Sequence, residues 1–139
     1  MKVKQVMHKG VSWVTPETSV AKVAKEMKCK DVGAIPVGKN DRLIGMVTDR
    51  DIVCRGLANG KAGKVLSAGD VMTKGIVYCR AEDDVAKALR TMKSKKIRRL
   101  PVIDAKKRMI GILSLGDIAR KVAKPQCADV VRSVSAHHA

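Results

Sequence analysis

The sequence predicts an α/β (α+β) fold made of two copies of one β-α-β-β-α unit. Three observations carry this. The chain repeats itself at a spacing of 65 residues, each repeat holds one apolar stripe at helical spacing, and each then holds two short β-rich runs around a polar turn.

The duplication is read from matched pairs. Val6-Met7 recurs as Val71-Met72, Val20-Ala21-Lys22 as Val85-Ala86-Lys87, and Pro36-Val37 as Pro101-Val102. Trp13 recurs as Tyr78, so the only two aromatic residues are repeat equivalents. Further on the spacing becomes 66, with Ile44-Gly45 matching Ile110-Gly111 and Asp51-Ile52 matching Asp117-Ile118. The added residue falls in the intervening turn, where insertions are tolerated best.

Each repeat opens on a short apolar run, Val11 to Val14 and Ile76 to Cys79, read as a strand. Val20, Val23, Ala24 and Met27 then fall at i, i+3, i+4 and i+7, as do Val85, Ala88, Leu89 and Met92, which is one face of an amphipathic helix. Thr18 or Ser19, and Asp83 or Asp84, are suitable N-caps. A hairpin follows: Ala34 to Val37, the turn Gly38 to Arg42, and Leu43 to Val47; then Leu100 to Ile103, the turn Asp104 to Arg108, and Met109 to Leu113. A second helix starts near Asp51 and near Asp117, the first stopping around Gly56 and the second before Pro125. Gly56 to Gly69, with four glycines, reads as the linker. The domain expectation is one repeat over residues 1–62, a second over 63–124, and a flexible tail over 125–139 that lacks periodicity.

Composition narrows the function classes. At 139 residues the chain suits one ordinary domain or two very small ones, and a unit of about 60 residues is marginal alone, so two would share a core. With no Phe, one Trp and one Tyr, that core is built from Val, Ile, Leu, Met and Ala, and the seven methionines read as core filler. A formal net charge of +16 favours an anionic partner. Two aromatics cannot supply the stacking platforms of a single-strand nucleic-acid binder. Cys29, Cys54, Cys79 and Cys127 form no C-x-x-C pair and read as reduced thiols. His8, His137 and His138 lie near the ends, away from other donors, so no metal site is expected. No apolar run reaches the roughly 20 residues of a membrane span, and no secretion signal opens the chain, so a soluble, cytoplasmic protein is expected.

The most informative residues lie where the hairpin enters the second helix. The repeats read Gly45-Met46-Val47-Thr48-Asp49-Arg50-Asp51 and Gly111-Ile112-Leu113-Ser114-Leu115-Gly116-Asp117. A hydroxyl residue three positions before an acid, at a helix start, is a capping box. The same geometry suits a ligand: a carboxylate in the first turn can accept from both hydroxyls of a ribose, and a helix N-terminus favours phosphate. Capping and ligand binding are compatible, since an empty site can cap itself.

Each hairpin also carries a proline, in Ala34-Ile35-Pro36-Val37 and Arg99-Leu100-Pro101-Val102. Proline cannot donate to a ladder, so it belongs at an edge or bulge, where neighbouring backbone groups are free to meet an adenine edge. Immediately upstream the repeats diverge: Gly33-Ala34 in the first, Arg98-Arg99 after Lys95-Lys96 in the second. Arginine's planar fork suits phosphate oxygens, though a basic run also serves as a solvated face.

The duplicated unit, the Pro-Val strand and the glycine-to-aspartate ending resemble a tandem pair of CBS domains, a Bateman module, over about residues 1 to 124. The resemblance implies two repeats packed about a pseudo-two-fold axis, with clefts between them for AMP, ADP, ATP, NAD or S-adenosylmethionine. It implies ribose binding by Asp51 and Asp117, with Thr48 and Ser114 as the hydroxyl residues and Arg50 beside the first aspartate. Ile35-Pro36 and Leu100-Pro101 would line the base with Thr15 and Arg80, and Arg98 and Arg99 would hold phosphate. It further implies a stand-alone regulatory module that pairs into a homodimer or docks on a protein target. Trp13 and Tyr78 are read as packing residues ahead of adenine stackers.

The expectation is therefore a non-enzymatic sensor of adenosine nucleotides. No nucleophile has a neighbouring base and no internal histidine is placed for acid–base work. Two other classes stay open: a basic nucleic-acid-binding protein, and a ligand-free structural or redox-responsive dimer.

Overall fold

In the computed structural model, which describes residues 1–60, 66–122 and 126–136, helix α1 spans Val20–Lys30. Ser19 caps it, its Oγ accepting from the Lys22 N–H at 3.2 Å, and Glu26 and Lys30 pair one turn apart on the exposed side. Val23 and Met27 are buried, and the helix ends at Asp31 in a left-handed conformation. Strands β2 (Ala34–Lys39) and β3 (Arg42–Thr48) pair antiparallel from Ala34↔Thr48 to Lys39↔Arg42, around Asn40 and Asp41. Both turn residues have positive φ, which matches the right-handed twist of a two-residue hairpin. Helix α2 (Asp49–Asp51) continues as a π-helical segment over Ile52–Gly56 and a 3-10 turn over Leu57–Asn59. Helix α3 spans Ala68–Val71. The core of this unit joins Val23, Met27, Ile35, Val37, Val47, Ala68 and Val71.

The second repeat follows the same plan. Strand β1 (His8–Lys9) stands before it in the chain; then come β4 (Cys79–Arg80), α4 (Val85–Lys95), β5 (Arg99–Ile103), β6 (Met109–Ser114) and α5 (Leu115–Lys121). The sheet order is β1-β6-β5-β4, with β4 parallel to β5. The longer turn here is organised by Asp104, whose carboxylate accepts from the Lys106 and Arg108 N–H groups and pairs with the Arg108 guanidinium. The residue added to the second repeat therefore sits in this turn, as the change of spacing implied.

Two features depart from the sequence expectation. The chain divides into a unit Ser12–Ile76 and a unit formed by Met1–Val11 with Val77–Ala139, in place of boundaries at 62 and 63. The opening segment of each repeat completes the sheet of the other: His8 and Lys9 pair with Ile112 and Gly111, while Thr73 bridges Met46. The Val3 and Lys4 N–H groups donate to Asp83 and Ala81, and the Val85 N–H donates to Met1. The expected linker is partly helical, and its residues 61–65 lie outside those described.

The second departure is the tail. Helix α6 spans Gln126–Ser135, with Val130 and Val134 buried in the second unit's core and the Ser133 hydroxyl donating to the Lys93 carbonyl on α4. This helix meets Leu89, which is buried, whereas the matching position of α1 is the exposed Ala24. The extra apolar bulk on α4 gives α6 a surface to cover that α1 lacks. Pro125 and residues 137–139 lie outside those described. Among the described residues no helix is long and apolar enough to cross a membrane.

Candidate functional site

Both motifs form capping boxes. The Thr48 N–H donates to Asp51 Oδ2 at 3.0 Å, and the Asp51 N–H donates to Thr48 Oγ1 at 3.1 Å. In the second unit the Ser114 N–H donates to Asp117 Oδ2 at 3.0 Å, and the Asp117 N–H donates to Ser114 Oγ at 3.0 Å. The two aspartate side chains are only 14% and 13% exposed, so each needs its charge answered. An arginine on the following turn does this: Arg55 lies 3.8 Å from Asp51 Oδ1, and Arg120 pairs directly with Asp117 Oδ1. Sequence reading passed over these two cations, although an arginine three or four residues after a first-turn acid is a helical pairing signal. Each carboxylate thus turns one oxygen to the cap and the other to a surface arginine, and the Arg55 guanidinium also donates to the Met72 carbonyl at 3.0 Å.

The motif glycines have a packing role. A Cβ at Gly45 would collide with the Met72 sulfur, and one at Gly111 would stand 2.7 Å from the His8 carbonyl oxygen and 3.0 Å from the Met7 sulfur. The Val-Met openings and the Gly-to-Asp endings are therefore two sides of one contact, made across repeats.

Several expected site residues are placed differently from the aspartates. Ile35, Pro36, Leu100 and Pro101 are buried in the cores, so only their backbone can meet a ligand. The expectation that proline frees its neighbours is corrected at Pro36: its carbonyl accepts from the Val14 N–H, and the Gly38 N–H donates to Val14. The bulge that relieves the missing donor follows directly, between Val37 and Gly38, and its counterpart lies between Val102 and Ile103. Thr15 and Arg80 occupy matching turns, their N–H groups donating to Thr18 Oγ1 and Asp83 Oδ2. Within a unit they sit beyond the Val37 and Ile103 ends of the hairpin, opposite the aspartates and about 13 Å of strand away. Arg98 and Arg99 are exposed beside the second box: the Arg98 carbonyl accepts from the Leu115 N–H at 2.9 Å, and Arg99 pairs with Ser114. Arg50 is exposed on the first turn of α2. Trp13 packs on Gly38 and is half exposed, as is Tyr78.

Among the described residues no group of three or more His, Cys, Asp or Glu could hold a metal ion. Cys79 is buried, and burial followed by the nearby Asp83 carboxylate pushes its thiol up to about 12, while Cys29 and Cys54 are exposed. The Asp83 carboxyl is held below the usual range: burial raises it, but the Arg80 N–H and the Lys87 ammonium outweigh that.

The family model for the CBS domain matches residues 3–55 and 68–124. Hypoxic response protein 1 of Mycobacterium tuberculosis is 35% identical over 132 residues, covering 94% of this chain and 92% of that protein. A crystal structure of Hypoxic Response Protein I with two coordinated zinc ions aligns at TM-score 0.80 and 36% identity, over 88% of this chain and 99% of that one. The structure of CBSX2 in complex with AMP aligns at TM-score 0.75 and 31% identity, over 88% and 96% of the two chains. The zinc belongs to the first of these; the donors described in this chain supply no three-ligand cage for it.

Proposed function

The chain belongs to the CBS-domain family, its two matched stretches being the two repeats, and on that footing we propose that it is a regulatory module binding an adenosine-containing nucleotide without a catalytic step of its own. The observation that carries this reading is the pair of part-buried aspartates, each fixed by a capping box and paired with one arginine. The AMP complex of the similar CBSX2 supports the ligand class.

In this reading Asp51 or Asp117 accepts from the ribose hydroxyls in place of Arg55 or Arg120. Thr48 or Ser114 orients the carboxylate. Backbone groups beside Pro36 and Pro101 meet the base, Arg98 and Arg99 take phosphate, and Arg50 adds a cation beside Asp51; Thr15 and Arg80 lie too far from the aspartate of their own unit to share its ligand. ADP, ATP, NAD and S-adenosylmethionine share the adenosine that these groups would read. Binding changes how the chain pairs with a second copy or a protein target, in proportion to the ligand's difference in affinity between the two states.

Calorimetric titration of the nucleotide-free chain with these five ligands tests the reading. Saturable binding lost in Asp51→Ala or Asp117→Ala, with helix content retained, is expected. Absence of binding to well-folded protein refutes it. Sedimentation with and without the bound ligand then reads any change of assembly.

One observation favours a second reading. Seven cations stand between Asp84 and Asp104 with no acid among them. Lys87 pairs with Asp83, and the other six side chains have no hydrogen-bond or ion-pair partner among the described residues. A nucleic-acid duplex bound through these cations would show a steep salt dependence.

A further inference from the structure

The two repeats build the same backbone around opposite charge. Asp31 and Lys96 end their helices with φ of 52° and 55°. The Gly33 carbonyl accepts from the Asp49 N–H at 3.0 Å, as the Arg98 carbonyl does from Leu115 at 2.9 Å. Ala34 pairs with Thr48, as Arg99 does with Ser114. Four exchanges between the repeats make the second more positive: Asp31 for Lys96, Gly33 for Arg98, Ala34 for Arg99 and Asp49 for Leu115; Arg50 for Gly116 returns one charge.

In the first unit the Asp49 carboxylate lies over the Gly33 backbone, with Oδ2 3.1 Å from the place a Cβ would take. It stands where the second unit sends out the Arg98 side chain. Asp51 adds a second carboxylate two residues on, so Arg50 and Arg55 offset these two acids with no positive surplus. A phosphate dianion brought here meets no surplus of positive charge to hold it. In the second unit Asp117 is already answered by Arg120, and the Arg98 and Arg99 guanidiniums are exposed and unpaired among the described residues. Two forks with free donors suit a phosphate.

We propose that the two repeats divide adenosine ligands by charge: the Arg98–Arg99 edge accepts the phosphate of a phosphorylated adenosine, and the Gly33–Asp49 edge takes only derivatives without phosphate. This rests on the adenosine reading above and adds to it which half selects which ligand. The selection follows from residues that differ between the repeats, so it is separate from the shared capping boxes.

Calorimetric titrations of the full, nucleotide-free chain with AMP and with adenosine test it. The expected result is AMP binding that weakens about tenfold or more in Arg98→Ala/Arg99→Ala, as loss of charge-assisted hydrogen bonds requires. Adenosine binding is expected to be unchanged by the arginine pair, and Asp49→Leu to add an AMP site at the first edge. AMP affinity unaffected by the arginine pair, or AMP binding lost in Asp51→Ala and kept in Asp117→Ala, overturns the division while the adenosine reading stands. Folded wild-type chain binding neither ligand overturns both.

Discussion

The six-membered ring of the Trp13 indole occupies the space in which any residue other than glycine at position 38 would carry its Cβ. Gly38 follows the bulge in β2, so the ring closes over the one point where the strand bends. Gly38→Ala is expected to lower stability by about 1–3 kcal/mol through overpacking. Urea unfolding of Gly38→Ala, Trp13→Ala and the double variant gives the coupling between them. Wild-type stability in Gly38→Ala would mean that the ring moves aside freely.

Leu89 is the residue that distinguishes α4 from α1, and α6 rests on it. Leu89→Ala is expected to cost about 2–4 kcal/mol, the usual range for truncating a core leucine. Denaturant midpoints followed by far-UV circular dichroism check this, and a loss of helix signal before the main transition would report α6 detaching.

The four thiols separate by environment. Cys29 and Cys54 are expected to react within the mixing time of a thiol-specific dye, and Cys79 only after unfolding, because its thiol is pushed up to about 12. Cys127 is half-buried, with its thiol 3.6 Å from the Val122 carbonyl, and should fall between them. Rapid labelling of Cys79 in native protein would contradict the burial of β4.

Acid stability is expected to depend on Asp83. Its folded-state pKa lies below the value near 4 of an unfolded chain, so the unfolded state binds a proton first as pH falls. The stabilisation is present above the unfolded value and is lost as pH drops through the folded one. Unfolding free energies of wild type and Asp83→Asn, measured from neutral pH downwards, should converge at the acid end; a constant difference would remove the titration from the account.

What the sequence disclosed was local in character. The hairpins, the Ser19 cap and both capping boxes are set by residues within four positions of each other, so their patterns survive in a single chain. The exchange of opening segments was hidden because nothing near His8 names Ile112 as its partner. Helix α6 was hidden because, among the described residues, it buries Val130 and Val134 with Cys127 half-buried, and it packs on Leu89, far away in the chain. Pro36 misled for a related reason: alone it signals an edge, yet its strand is flanked by both β3 and Val14, with the bulge absorbing the missing donor. At the site, the aspartates and their hydroxyl partners were legible, while Arg55 and Arg120 needed the helical turn to bring them back.

The crossed opening segments give the two halves unequal histories on the ribosome. Ser12–Ile76 is one continuous stretch, so the bridge and strand partners of β2 and β3 are all made once Ile76 has emerged. The other half must keep Met1–Val11 waiting through the translation of everything between, because His8 has no strand to join until Ile112 is made. A nascent chain of this protein therefore keeps Val3 and Val6, which end fully enclosed, exposed until the strand carrying Ile112 has emerged. A change within Met1–Val11 acts on the half completed second of the two.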